Sequence, residues 1–174
     1  MSEELATLLA KQAITDRIHC YCRAMDRMDH DLAVATWHPG GTADYGPIFQ
    51  GSGTAFIDWV ETTHRGMRRH VHRVSNILIE VAGAEARSET YVMVVLRFFD
   101  GAEEVEAIAQ GRYLDHWSCR DGRWAIEARR YIHDFGENRP VRDDGIPSAA
   151  ARDRTDPSYA WLEGGGLEGR SPGG

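Results

Sequence analysis

Two histidines and an asparagine stand at alternating positions in residues 70–76, His-Val-His-Arg-Val-Ser-Asn. Successive side chains of a strand point to opposite faces. His70, His72, Val74, Asn76 and Leu78 are therefore expected on one face, and Val71, Arg73, Ser75, Ile77 and Ile79 on the other. A face that sets two imidazoles and an amide among apolar residues needs partners or a cavity, because an unpaired buried polar group costs roughly 1–3 kcal/mol. We read it as the wall of a cavity. Asp26 is the carboxylate suited to join it: on a helix it lies about 40° from Cys22 and about 80° from Ile18, at the margin of an apolar stripe. An aspartate bonded to one imidazole nitrogen leaves the other as a base and stabilises the imidazolium formed when a proton is taken. The same two residues also make a buried structural ion pair. His70 and His72, with Asp26, form a two-histidine, one-carboxylate set of the kind that holds a transition metal. That is the lesser reading, and no metal and no cofactor is expected. His30, His38, His64, His116 and His133 are read as surface or satisfied histidines.

The elements that must position these residues follow from the pattern. Residues 3–27 predict a long amphipathic helix, with Leu5, Leu8 or Leu9, Ile14, Ile18, Tyr21, Cys22 and Met25 at three- and four-residue steps. Asp31 is expected to cap a short second helix over 32–37, stopped by Pro39, Gly40 and Gly41. Residues 42–45 and 48–50 read as a brief hairpin with Tyr45 near its tip. Ser52 caps a third helix whose apolar positions are Phe56, Ile57, Trp59 and Val60. Four long runs rich in Val, Ile, Tyr and Trp follow, at 69–81, 85–99, 104–119 and 123–135. Short separators at Gly83, Asp100-Gly101 and Asp121-Gly122 make neighbours antiparallel. Gly111 inside the third run marks a bulge or bend. Beyond residue 136 the composition turns to Arg, Asp, Pro and Gly. Tyr159, Trp161 and Leu162 form an isolated apolar patch, and 164–174 read as disordered. We divide the chain into a domain over 1–136 and an extension over 137–174.

Composition narrows the function classes. With 174 residues, 42% of them hydrophobic, the chain suits one domain with a real core. The net charge of -7, with basic residues scattered, gives no nucleic-acid surface. Three cysteines, two of them two residues apart in a helical pattern, give neither a disulfide framework nor a zinc knuckle, so a reducing cytoplasm is expected. No run approaches a membrane span and the first residues do not form a signal peptide.

Four patches carry a family resemblance: Tyr21 to Asp26, His72 to Asn76, Gly111 to Asp115, and Asp121-Gly122-Arg123-Trp124 with Ala128-Arg129-Arg130 after it. With helices leading into a bent sheet, residues 5–136 resemble the SnoaL-like branch of the nuclear transport factor two-like superfamily. Within it they are most similar to scytalone dehydratase, the bile-acid dehydratases and hexachlorocyclohexane dehydrochlorinase. The resemblance implies an α+β fold, a cone-shaped barrel with N-terminal helices packed in the concave face of a strongly bent antiparallel sheet. It implies that Asp26 orients His72 as a proton-abstracting base, and that Tyr21, Tyr45 and Arg129 belong to the same site, closed by Asn76. It also implies a homodimer or homotrimer assembled through the outer sheet face.

Each of these residues has a plainer reading beside the functional one. Tyr21 and Tyr45 are phenol donors or packed core residues. Arg129 and Arg130 are adjacent, so only one faces inward, and alternation groups Arg129 with Ala125, Glu127 and Tyr131. Trp37, Phe49, Trp59 and Tyr113, with His70, are expected to line the pocket or the core. The function expected is a cofactor-independent lyase acting on a small, mostly apolar cyclic substrate, eliminating water or a comparable group. Isomerisation or cyclisation starts from the same proton abstraction. The rival from another class is a non-catalytic binding or accessory subunit of the same fold.

Overall fold

The computed structural model describes residues 2–142 and 145–164; of the stretch 164–174 expected to be disordered, Gly164 ends a helix and 165–174 lie outside the described residues. Helix α1 spans Glu3–Arg27. Ser2 Oγ accepts the Leu5 amide at 3.2 Å, and Glu3 and Glu4 sit at the positive end of the helix dipole. Its far end turns through Met28 in the left-handed region, φ 51°, and the Asp29 amide closes back on the Ala24 carbonyl at 2.9 Å. The buried stripe starts only at Ala10 and runs through Ile14, Ile18, Tyr21, Cys22 and Met25, while Leu5, Leu8 and Leu9 remain exposed.

Helix α2 is His30–Val34, capped by Asp29 rather than Asp31, with Asp29 Oδ1 accepting the Leu32 amide at 3.2 Å. It is shorter than expected because Trp37 already begins strand β1, Trp37–Asp44. Pro39 and the two glycines fall in the irregular stretch of that strand, between the paired residues Trp37 and Thr42, and do not simply stop a helix. Strand β2 is Gln50–Ser52, and α3 is Gly53–His64, capped by Ser52 as expected. The long strands are β3, Arg69–Ala82; β4, Glu85–Asp100; β5, Glu103–Arg120; and β6, Arg123–Pro140. Strand β6 outruns its apolar stretch because it continues to pair with β5 as far as Val105 and Pro140. Helix α4, Pro157–Gly164, ends the described chain. No helix among the described residues is long and apolar enough to cross a membrane.

The sheet order is β2-β1-β6-β5-β4-β3. The four long strands form an antiparallel meander as expected, and β1 joins it parallel to β6, which makes the sheet mixed and leaves it open between β2 and β3. An 18-residue strand drawn straight spans about 60 Å, too long for one compact domain, so the sheet must coil. Register breaks assist the coiling by adding one residue each to β3 at Asn76, to β6 at Glu127 and to β6 at Asp134. The last lies opposite Gln110 and Gly111, the glycine whose bend the sequence announces. A Cβ on Gly111 would stand 2.2 Å from the Ile132 carbonyl oxygen. The α+β class and the helices against the concave sheet face are as expected, with α1 lying on β3 and β6.

The chain then folds back on itself. Tyr159 is buried and its hydroxyl donates to Asp29 at 2.8 Å. Arg23 donates to Ser158 at 3.0 Å, and Arg27 faces Asp156 at 3.4 Å. Trp161 and Leu162 are exposed.

Candidate active site

Asp26 leaves the last turn of α1 directly opposite the edge strand β3. An edge strand presents unpaired backbone groups, and the carboxylate uses one: the His72 amide lies 2.9 Å from Oδ1 and 3.1 Å from Oδ2. The His72 ring closes the same contact, with Nδ1 2.7 Å from Oδ1. One residue thus grips the carboxylate through both backbone and ring. The two side chains are 14% and 4% exposed for Asp26 and His72, so little water competes for the pair. With Nδ1 committed to Asp26, Nε2 is the nitrogen able to accept a proton.

His70 lies on the same inner face, its ring 4.8 Å from that of His72, and the His64 ring from the end of α3 follows at 5.2 Å. His70 Nδ1 and His64 Nδ1 are buried without a partner among the described residues. Burial, then the neighbouring His72, His64 and Arg152, hold His70 well below the usual histidine range. Burial and Arg152 push His64 down to about 4. His64, expected to be a surface or satisfied histidine, is half-buried with Nδ1 unpartnered among the described residues. Asp26, His70 and His72 can offer one ligand atom each, all within 4.8 Å of one another, which is a possible metal-binding set.

Neutral buried imidazoles have a consequence for acid stability. Above the ordinary histidine pKa of 6.5 both folded and unfolded chains hold these rings neutral. Below it the unfolded chain takes up protons first, so stability falls as the pH drops towards 4. For His64, allowing for its partial exposure, the loss by pH 4.5 is about 2 kcal/mol. Urea unfolding at pH 7 and pH 4.5 measures it. A His64→Asn variant is expected to lose less stability between the two pH values than the wild type, and an unchanged loss would acquit His64.

On the deep side of His72 stands a group of phenols. The Tyr21 ring is 6.4 Å from His72. The hydroxyls of Tyr21 and Tyr45 are hydrogen-bonded at 2.8 Å, and Tyr113 packs edge-on to Tyr21 at 5.9 Å. Burial raises the pKa of all three, so they remain protonated donors at neutral pH. Behind them lies Arg129, 1% exposed, its guanidinium 3.9 Å from the Tyr113 ring and 4.2 Å from the Tyr21 ring. Asp115 on β5 takes it in a fork, at 2.7 Å to Nε and 2.8 Å to Nη2. Phe49, Phe56 and Trp59 complete an aromatic circuit: Phe56 stacks on Tyr45 at 4.0 Å and on Trp59 at 5.9 Å, and Trp59 meets His64 at 5.7 Å.

Of the residues expected here, Asp26, His70, His72, Tyr21, Tyr45, Tyr113, Arg129, Phe49 and Trp59 are brought together in or around this circuit. Asn76 is not. It is the bulged residue of β3, with φ 46°, and is exposed. Because the bulge shifts the alternation, Ile77 and Ile79 take the inner face in its place and Leu78 turns outward, 62% exposed. The bulge at Glu127 likewise puts Trp124 and Ile126 on the same face as Arg129 and Tyr131, and leaves Arg130 exposed. Trp37 packs closely over Gly53 and flanks Arg129 at 5.9 Å, so it supports the phenol group rather than the histidines. Three participants are not expected at the site from the sequence: Asp115, which enters only within a family patch, His64, read as surface or satisfied, and Arg152. Asp115 could have been found as an acid at an inward position beside Tyr113 and Trp117; His64 and Arg152 carry no local signal.

Residues 6–130 match the sequence model of a family described as the SnoaL-like domain. No curated protein matches the chain. Among solved structures, a candidate scytalone dehydratase from Novosphingobium aromaticivorans DSM 12444 aligns with a TM-score of 0.69 at 23% identity, covering 82% of this chain and 97% of its own. The hexachlorocyclohexane dehydrochlorinase LinA-type3 from Novosphingobium barchaimii LL02 gives 0.69 at 15% identity, covering 84% and 98%. A protein of unknown function from Mycobacterium tuberculosis gives 0.66 at 22% identity, covering 94% and 90%. At these identities the likeness is one of fold.

Proposed function

The chain belongs to the SnoaL-like domain family, and from that premise we propose that it is a cofactor-independent lyase that eliminates water or a comparable group from a small, largely apolar cyclic substrate. The observation that carries the proposal is the 2.7 Å contact between Asp26 Oδ1 and His72 Nδ1 inside an aromatic-lined cone. His72 Nε2 takes a proton from a carbon next to a carbonyl or similar acidifying group. The C–H electron pair becomes the new double bond as the leaving group departs with the electrons of its own bond; Asp26 stabilises the imidazolium, which returns its proton to the departing hydroxide to give water, or to solvent when the leaving group is a halide. Of the hydrogen-bonded phenols Tyr21 and Tyr45, one donates to the other, and the one whose proton is left free donates to the oxygen on which charge gathers. Arg129 lies behind them and acts on these donors through its place over the Tyr21 ring. His70, Trp59, Phe49 and Tyr113 shape the pocket. Isomerisation would use the same first step, with the proton returned to another carbon.

The names of the dehydratase and dehydrochlorinase among the similar structures fit this reaction class. Turnover across a panel of cyclic alcohols, ketones and halides, followed by the pH dependence of kcat/KM for whichever is consumed, tests the proposal. A folded His72→Ala variant with undiminished turnover would remove His72 as the base. A homodimer or homotrimer through the outer sheet face is part of the same proposal, supported by Leu78 and Leu114 exposed on that face.

A second reading, favoured by the compact set of Asp26, His70 and His72, is a metal centre. Elemental analysis of freshly purified protein separates the two. The elimination reading expects no stoichiometric metal, and one transition metal per chain would support the other.

A further inference from the structure

A chain of net charge -7 nevertheless gathers positive charge in one cleft beside the dyad. The cleft, about 570 Å³ in volume, is walled by Arg65, Arg68, Arg69 and Arg152 against only Glu61 and Asp153, and Met28, two residues past Asp26, borders it. Its carboxylates are already engaged: Glu61 by Arg65 at 2.5 Å, and Asp153 by the Thr155 amide at 2.8 Å. Arg68 leans away to Glu104 at 3.8 Å. Arg69 and Arg152 have no carboxylate partner among the described residues. Arg69 donates to the Arg68 carbonyl, and Arg152 gives Nη1 to the carbonyls of His64 and Met67.

The other edge of Arg152, Nε with Nη2, is shut off from water and has no partner among the described residues. That edge is the fork that meets two oxygens of an anion side by side. A second orphan among the described residues is Nδ1 of His70, a residue only 3% exposed that feels the charge of Arg152. A half-buried guanidinium with no carboxylate in contact is unfavourable: burial, and after it the charge of Arg69, lower the Arg152 pKa, and the charges of Asp26 and Glu61 offset this only in part. The charge of Arg152 also bears on Asp26, His64 and His70, which places the cleft within electrostatic reach of the dyad. Arg152 comes from the returning C-terminal segment, outside the residues that match the family.

We propose that the substrate of this chain is an anion, whose carboxylate or phosphate group is held by Arg152 and Arg69 while its carbon skeleton extends into the cone towards His72. The assignment rests on reading the dyad as an active site, but its test does not depend on turnover. Inorganic phosphate and benzoate are titrated separately into the protein by calorimetry, in a zwitterionic buffer with ionic strength held constant by sodium chloride. At least one is expected to bind saturably at one site per chain, with Arg69→Gln weakening it by about tenfold. Arg152→Lys, which retains the charge and a donor for the two carbonyls but loses the fork, is expected to weaken it as well. Binding is read without turnover, so failure of the base assignment would leave this result intact. Phosphate alone binding identifies a phosphate ester, and benzoate alone a carboxylic acid. Absence of saturable binding by both anions, or wild-type affinity in both arginine variants, overturns the proposal.

Discussion

Asparagine at position 26 is expected to lower turnover by about 10²–10⁴-fold while the protein stays folded. The carboxylate receives two donors from one residue, the His72 amide and the His72 ring. An amide side chain has one oxygen for both, and its NH₂ must then face either the backbone N–H or Nδ1. Facing the backbone, it sets donor against donor. Facing the ring, it turns Nδ1 into the acceptor and puts the proton on Nε2, where it blocks the base. In either orientation the negative charge that stabilises the imidazolium is gone. His72→Ala removes the base itself and is expected to cost at least as much. The double variant is expected to be little worse than the poorer single one, because the two residues act as a unit. Steady-state kinetics on the substrate found by panel screening read this directly. Asp26→Asn within about threefold of wild type would reduce the pair to a structural contact.

The second large effect concerns stability. Replacing Asp115 by alanine is expected to cost about 3–5 kcal/mol. Both side chains of the Arg129–Asp115 pair are fully buried. Burial by itself would lower the Arg129 pKa, but the Asp115 charge and hydrogen bonds outweigh it and hold the guanidinium well above its ordinary value. Without Asp115 the cation stays, enclosed by Tyr21, Tyr113 and Trp37 with nothing to neutralise it. Against a typical domain stability of about 5–15 kcal/mol this is a large fraction, and it corresponds to a fall in Tm of roughly 10 °C or more. Replacing both residues by apolar ones, Asp115→Leu with Arg129→Met, is expected to cost less than Asp115→Ala alone, since no buried charge is left unpaired. Urea unfolding compares the variants. A loss below about 1 kcal/mol for Asp115→Ala would show that water reaches the guanidinium.

Both effects trace back to contacts of different legibility. The Asp26–His72 pair was readable because each residue is anomalous within its own element, an acid at the rim of an apolar helical stripe and imidazoles on an apolar strand. The Arg129–Asp115 pair was only half readable. Arg129 was expected on the resemblance, but its partner lies across β5 and β6 at a register that neither strand specifies alone.

What the sequence by itself determined is the order of helices and long strands, the turns at Gly83, Gly101 and Gly122, the Ser52 cap, and the candidate dyad. These depend on periodicity and on backbone preferences within a few residues, and such local energies are written in local sequence. The tertiary structure alone decided which residues share a face beyond each bulge, so that Asn76 left the site, Ile77 and Ile79 took its face, and Arg129 rather than Arg130 turned inward. A bulge is a property of two paired strands on a coiling sheet, and a one-residue shift inverts every side chain after it. The return of Arg152 to the dyad's side was likewise decided in three dimensions, through Tyr159, Asp156 and Asp29, contacts separated by more than a hundred residues of chain.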